Sequence, residues 1–214
     1  MKKKALQTIL LFGLSILTLN AIQAQPVAAD DAIDILKNGA LIMRLPSNAK
    51  KIAALEDIIS RNEDPAAVRR ATKLMEETQA ETREENQRII RFFREFYKFS
   101  AVYFMYDTSL STLAGGARRG IFLRDDLSPD PTLSLPNDQF LLAQIGYTDQ
   151  SSSARAEALI ITGLDMKPIQ APFPSAIRYN TLSELFGLKD TARERQVKLL
   201  NKKLGQYNSR KIEN

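Results

Sequence analysis

Arg44, Ser47, Asp107 and Ser109 have the types and placement with which this chain could do chemistry. A guanidinium and a carboxylate brought to one edge could grip a small anion or polarise a bond, and two hydroxyls could orient it. Arg44 lies near the end of the apolar run Ala40 to Leu45, and Pro46 and Ser47 follow at once. Asp107, Thr108 and Ser109 follow the apolar run Ala101 to Tyr106 in the same way. If the two runs are parallel neighbours in one sheet, all four residues stand at its carboxyl edge, where open α/β sheets bind ligands. Ser47 is also a good N-cap, so the first N–H groups of a following helix would face the same place. The plainer alternative is that Arg44 and Asp107 simply pair with each other and cap the chain ends.

Other patterns point less far. Leu113 to Gly120 reads LAGGARRG, without the Lys-Ser or Lys-Thr of a phosphate loop and without the spacing GxGxxG, so it is a turn with solvated charges. Asp125, Asp126, Asp130 and Asp138 could supply paired carboxylates for glycoside hydrolysis. They sit among Ser-Pro and Asp-Pro dipeptides, however, and no tryptophan or aromatic cluster accompanies them, so turn chemistry explains them better. Ser151-Ser152-Ser153 lacks the GxSxG context of a nucleophile elbow. The sequence contains neither histidine nor cysteine. Thiol chemistry and disulfides are thereby excluded, and the commonest general base and zinc ligand are missing. No metal centre and no cofactor is expected, and no catalytic residue can be named.

The elements that would position these residues follow from periodicity. Ala40 to Leu45 places Leu41, Met43 and Leu45 on one face and Ile42 and Arg44 on the other, as a strand does. A helix from Ser47 to about Ser60 carries the stripe Ile52, Leu55, Ile58 and Ile59. Asp64-Pro65 then opens a long helix, with Val68, Ala71, Met75, Thr78, Thr82, Ile89, Phe92, Phe96 and Phe99 along one face. Only four residues connect the two helices, which predicts an antiparallel hairpin. The stretch Glu76 to Arg88 has no large apolar residue and reads as a solvated part of the helix, or as a surface for a protein partner. Ala101 to Tyr106 (AVYFMY) is apolar without alternation, the pattern of a central strand buried on both faces.

Strand, helical hairpin and strand form a crossover, which favours two parallel neighbours. Gly120 to Arg124, Gln139 to Tyr147 and Glu157 to Thr162 read as three further strands, too closely spaced for helical crossovers and hence antiparallel. Ala29 to Lys37 reads as a short helix ended by a left-handed Asn38-Gly39 stop. A last helix from Asp190 to about Leu204 carries Val197, Leu200 and Leu204, and 206–214 reads as a frayed tail. The fold class is therefore α/β, a mixed sheet of about five strands with a helical-hairpin crossover and a C-terminal helix.

The 214 residues, 44% hydrophobic and 26% charged, suit one domain with a real core. Met1-Lys2-Lys3-Lys4, the apolar run Leu6 to Leu19 and small residues near Ala24 follow the order of a secretory signal peptide, with cleavage after Ala24. Positions 25–205 then form a single domain. Three of the 30 basic residues leave with the leader, so 27 face 25 acidic ones and nothing favours nucleic acid. Asp125 to Leu188 holds eight acidic and three basic residues, and Lys189 to Asn214 reverses those numbers. The two stretches should attract. Membrane contact by the basic helix is the weaker explanation.

The phrases ALIMRLPSNAKKIAAL, EENQRIIRFFREFYKFSAVYFMY and APFPSAIRY, in that order and spacing, resemble an uncharacterised family of exported proteins frequent in Bacteroidetes. The resemblance covers most of the chain after the leader. It implies export and a single domain, and it transfers no functional residue. The element order is also loosely similar to thioredoxin-like proteins, a likeness of fold alone. The expected function is that of an exported, non-enzymatic domain, in the periplasm or outside the cell, that binds a small anionic ligand or a protein through the helical hairpin. The alternative is a hydrolase or transferase using carboxylate and arginine at the strand ends.

Overall fold

A computed structural model describes residues 27–148, 156–179 and 189–213. The expected signal peptide and the Ser151-Ser152-Ser153 segment lie outside them. Helix α1 (Ala29–Asn38) precedes β1 (Ala40–Leu45), and the hairpin of α2 (Ala49–Arg61) and α3 (Pro65–Phe96) leads to β2 (Ala101–Tyr106). A 3-10 turn (Asp107–Ser109) and α4 (Leu110–Ala114) follow. Then come β3 (Phe140–Tyr147), β4 (Glu157–Thr162), β5 (Ala176–Arg178) and α5 (Lys189–Glu213). The sheet is five-stranded and mixed, in the order β2-β1-β3-β4-β5. Strand β1 pairs in parallel with both β2 and β3, while β4 and β5 are antiparallel additions.

Strand β1 is buried on both sides, as is the first half of β3. Leu41, Met43 and Leu45 face a core built with Ile89, Ile90, Phe92 and Phe93 of α3 and Val197, Leu200 and Leu204 of α5. Ala40 and Ile42 face a second cluster with Leu113, Phe122 and Leu135. The apolar run of β2 suggested a central strand, but β2 lies at the sheet edge, with Ala101 exposed and only Phe104 and Met105 fully buried. Its shelter is the segment around Leu123, whose N–H donates to the Phe104 carbonyl at 2.9 Å. Besides that rung, only an isolated antiparallel bridge between Leu123 and Pro129 remains of the strand expected at Gly120 to Arg124. The fifth strand is Ala176–Arg178 instead.

Strand β3 was expected to be antiparallel and is parallel. The connection from β2 has little helix, yet it crosses the sheet face through α4 and the packed residues Phe122 and Leu135. Apolar packing replaces the helix as the means of covering that face.

Gly39 also differs from expectation. Its φ of −137° is not left-handed. Glycine is required because a Cβ there would stand 1.9 Å from the Gln139 carbonyl oxygen, where β1 and β3 begin. The Ala40 N–H donates to that same oxygen at 3.0 Å.

Asp64 caps α3 as its sequence suggests, accepting from the N–H groups of Ala66 and Ala67, with Pro65 as first helical residue. The polar middle of α3 is only partly solvated. Thr78 and Asn86 are buried, and the Asn86 amide donates to the Pro46 carbonyl at 2.9 Å. Glu85 and Arg88 meet Arg193 and Asp190 of α5. The C-terminal helix continues through the expected frayed tail to Glu213. Tyr207 is buried and donates to Asp30 at 2.9 Å, and Lys211 pairs with Asp34, so α1 holds the end of α5 down. Among the described residues no helix is long and apolar enough to cross a membrane.

Candidate functional site

Two parallel neighbours whose connections leave toward opposite faces open a crevice at their carboxyl ends. Strands β1 and β2 are such a pair. After β1 the chain turns to the face covered by α3, and after β2 it turns to the face covered by α4. A cavity of about 570 Å³ lies there, lined by Arg44, Ser47, Lys50, Lys51, Asp107 and Thr108 among others. Three of the four residues singled out by sequence, Arg44, Ser47 and Asp107, come together in it. Ser109, the fourth, is not part of the lining, and Thr108 stands there instead.

Arg44 and Asp107 form no ion pair. The Arg44 guanidinium donates to the Gln144 side chain of β3 and approaches the Met166 sulfur at 3.3 Å. Its Nε is buried without an acceptor among the described residues. Burial draws the guanidinium below its ordinary pKa, and the nearby Asp107 charge works in the opposite direction. Asp107 accepts instead from the Ser47 N–H at 3.1 Å, tying the two strand ends together.

The start of α2 is unusual. Its N-cap is Asn48, one residue later than expected, at φ 52°. The Asn48 amide does not cap the helix; it donates to the Thr82 hydroxyl of α3 at 2.7 Å. The Ser47 hydroxyl accepts from the Ala49 N–H at 3.2 Å. Lys50 and Lys51 come next, at positions whose N–H groups have no intrahelical acceptor. No acidic residue occupies this first turn. Cations there oppose the positive end of the helix dipole, whereas α1 carries Asp30 and Asp31 in its first turn. Sequence reasoning passed over Lys50 and Lys51 because they also belong to the polar face of α2. The missing acid after the cap was the signal available.

Ser47 also borders a second cavity of about 490 Å³, between the helical hairpin and the 126–128 turn. Ile52, Tyr106 and Leu127 give it apolar walls, and Thr82, Asn86 and Ser128 add polar ones. Asn86 is 1% exposed and its Oδ1 has no donor among the described residues.

Asp126 and Asp130 are turn-formers, as their Pro-rich context suggests, whereas Asp125 pairs with Arg94 of α3 at 2.9 Å. Asp126 accepts from the Ser128 N–H at 2.8 Å, and Asp130 accepts from the Thr132 N–H at 2.8 Å and from Arg124 at 2.9 Å. The Ser128 hydroxyl and N–H hold Asp126 below the usual carboxylate range, and Arg124 and Thr132 do the same for Asp130. A carboxyl whose folded pKa is depressed adds stability that is complete above its unfolded value and is lost as pH falls toward the folded one. The urea midpoint should therefore fall steadily below about pH 4. Asp130→Asn should flatten that fall. An identical acid profile for the variant would show that the turn contributes nothing.

The LAGGARRG segment is not an anion cradle. Arg118 donates to the Leu113 and Ala117 carbonyls and pairs with Asp138, so its charge is spent within the turn. Among the described residues no group of three or more acidic side chains could hold a metal ion. No protein-family model, curated protein or solved structure matches this chain.

Proposed function

We propose that this protein is exported and acts without catalysis, as a binding domain that takes a small anion at the carboxyl ends of β1 and β2. The observation that carries the reading is the first turn of α2, which the Asn48 side chain leaves uncapped and where Lys50 and Lys51 open onto a cavity with Arg44. Free N–H groups, a helix dipole and three cations meet there against a single carboxylate, Asp107, already engaged by the Ser47 N–H. Export rests on the order of charged, apolar and small residues in the leader. A hydrolytic role gains less support, because Asp107 is occupied and the sequence offers no histidine as a base.

Inorganic phosphate should raise the thermal midpoint of the wild-type protein by mass action on the folded state. Lys50 and Lys51 are exposed, so Lys50→Ala/Lys51→Ala should fold normally. Removing two charges close to the anion should weaken binding about tenfold or more, with the gap narrowing at high salt. Equal phosphate affinity of the two proteins would place the anion elsewhere and end this reading.

A further inference from the structure

The basic residues of α5 divide between two faces. The inner face turns Val197, Leu200, Leu204 and Tyr207 into the core, and there Arg193 meets Glu85 and Glu157. On the outer face Arg195, Leu199, Lys202, Lys203, Gln206 and Arg210 recur at helical spacing, and all six are exposed. The sequence predicts attraction between the acidic stretch Asp125 to Leu188 and this basic end. Among the described residues only the Arg193–Glu157 pair supplies it. Arg195, Lys202 and Lys203 have no ion pair or hydrogen bond among the described residues, and Arg210 reaches only the Gln206 carbonyl of its own helix. Lys198, at the margin, pairs with Glu194. No acidic residue occurs between Arg195 and Arg210. The result is a stripe of one sign, about 22 Å long at about 1.5 Å per residue. Leu199, 41% exposed, stands among its cations.

We propose that the outer face of α5 docks on an anionic lipid surface. The proposal goes beyond the anion reading above and uses none of its residues. Cations aligned along one helix meet a flat array of headgroup phosphates together, each adding about fivefold to affinity. Nucleic acid would satisfy the charges equally well, but it would leave Leu199 in water. The six residues of the face also include no aromatic side chain on which bases could stack. At a bilayer, Leu199 gains by burial at the boundary between headgroups and acyl chains. The apolar face of α5 is already packed in the core, so the helix rests on the surface instead of sinking into it. Such a contact is reversible and sensitive to salt.

The test is sedimentation with vesicles of phosphatidylcholine alone and of an equal mixture of phosphatidylcholine and phosphatidylglycerol. The protein used begins at Gln25, ahead of the described fold, so that the apolar leader adds no affinity of its own. Wild type should bind the mixed vesicles at low salt, and should bind neither phosphatidylcholine alone nor the mixture at high salt. Lys202→Gln/Lys203→Gln, at exposed positions, should bind about twentyfold more weakly, and Leu199→Ser about fivefold. Lys50→Ala/Lys51→Ala should bind as wild type does, which separates this surface from the cavity at α2. A loss in that variant would move the contact to α2 and overturn the proposal. So would absence of binding to the mixed vesicles, or equal binding by wild type and Lys202→Gln/Lys203→Gln. Displacement from the vesicles by a DNA duplex, with Leu199→Ser binding as wild type does, would show a surface for polyanions in general and overturn its assignment to lipid.

Discussion

Phe104→Ala should destabilise the protein by about 3–5 kcal/mol, a large share of the stability of a domain this size. Phe104 is wholly buried although its strand is at the sheet edge. Its ring meets Phe93 of α3 edge-on, with centroids 6.3 Å apart, and the Arg94 guanidinium lies 4.9 Å above it. On the next strand its register partner is Met43, itself wholly buried. Truncation would therefore open a void between β1, β2 and α3 that none of the three can close by moving alone. Phe104→Leu, which keeps most of the volume, should cost less than about 1.5 kcal/mol. The measurement is urea unfolding of the three proteins at neutral pH. A midpoint for Phe104→Ala within experimental scatter of wild type would mean that β2 is not held by this contact. Because β2 carries Asp107 to the candidate site, the same variant should also weaken phosphate binding.

A comparable loss is expected from Arg193→Met, for an electrostatic reason. The Arg193 side chain is 9% exposed and lies 2.9 Å from the Glu85 Oε1 of α3 and 2.8 Å from the Glu157 Oε1 of β4. It also donates to Gln196 at 2.9 Å and stacks at 4.5 Å on the Tyr179 ring. One guanidinium thus joins the long helix, the sheet and the C-terminal helix. Methionine keeps much of the volume but strips the Glu157 carboxylate of its cation, while Glu85 keeps Arg88 on its other oxygen. Breaking a buried ion pair in this way costs about 3–5 kcal/mol, more than the intact pair contributes relative to an apolar substitute. Adding Glu157→Gln to Arg193→Met should therefore recover about 1–2 kcal/mol by removing the stranded charge. A single-variant loss below about 1 kcal/mol, or no recovery in the double variant, would show the cluster to be solvated.

The positions of these two side chains were unequally legible in advance. Phe104 stands in six successive apolar residues, and that run alone predicts burial. Arg193 sits in a helix whose basic residues look uniformly solvated, because its two acidic partners are more than thirty residues away in the chain. The same reason explains the middle of α3. Its lack of large apolar residues is plain in the sequence, but Asn86 is buried through the carbonyl of Pro46, forty positions earlier.

The candidate site divides along the same line. Arg44, Ser47 and Asp107 follow from the sequence because each lies at or just beyond the carboxyl end of an apolar run. The hairpin between those runs makes the strands parallel and brings the ends to one edge. Lys50 and Lys51 acquire meaning only once Asn48 is seen to spend its amide on Thr82 instead of capping α2.

By itself the sequence determined the α/β class, the hairpin crossover, the parallel β1–β2 pair and the cap at Asp64, all of which arise from periodicity and local hydrogen bonding. Tertiary structure decided the edge position of β2, the parallel direction of β3, the need for glycine at 39 and the full length of α5. Each of those depends on what a distant segment presents: Leu123 beside β2, Phe122 and Leu135 over the sheet, the Gln139 carbonyl against Gly39, and Asp30 and Asp34 under Tyr207 and Lys211. Local patterns report which faces a segment must bury, whereas the identity of the covering partner is fixed only when the whole chain closes on itself.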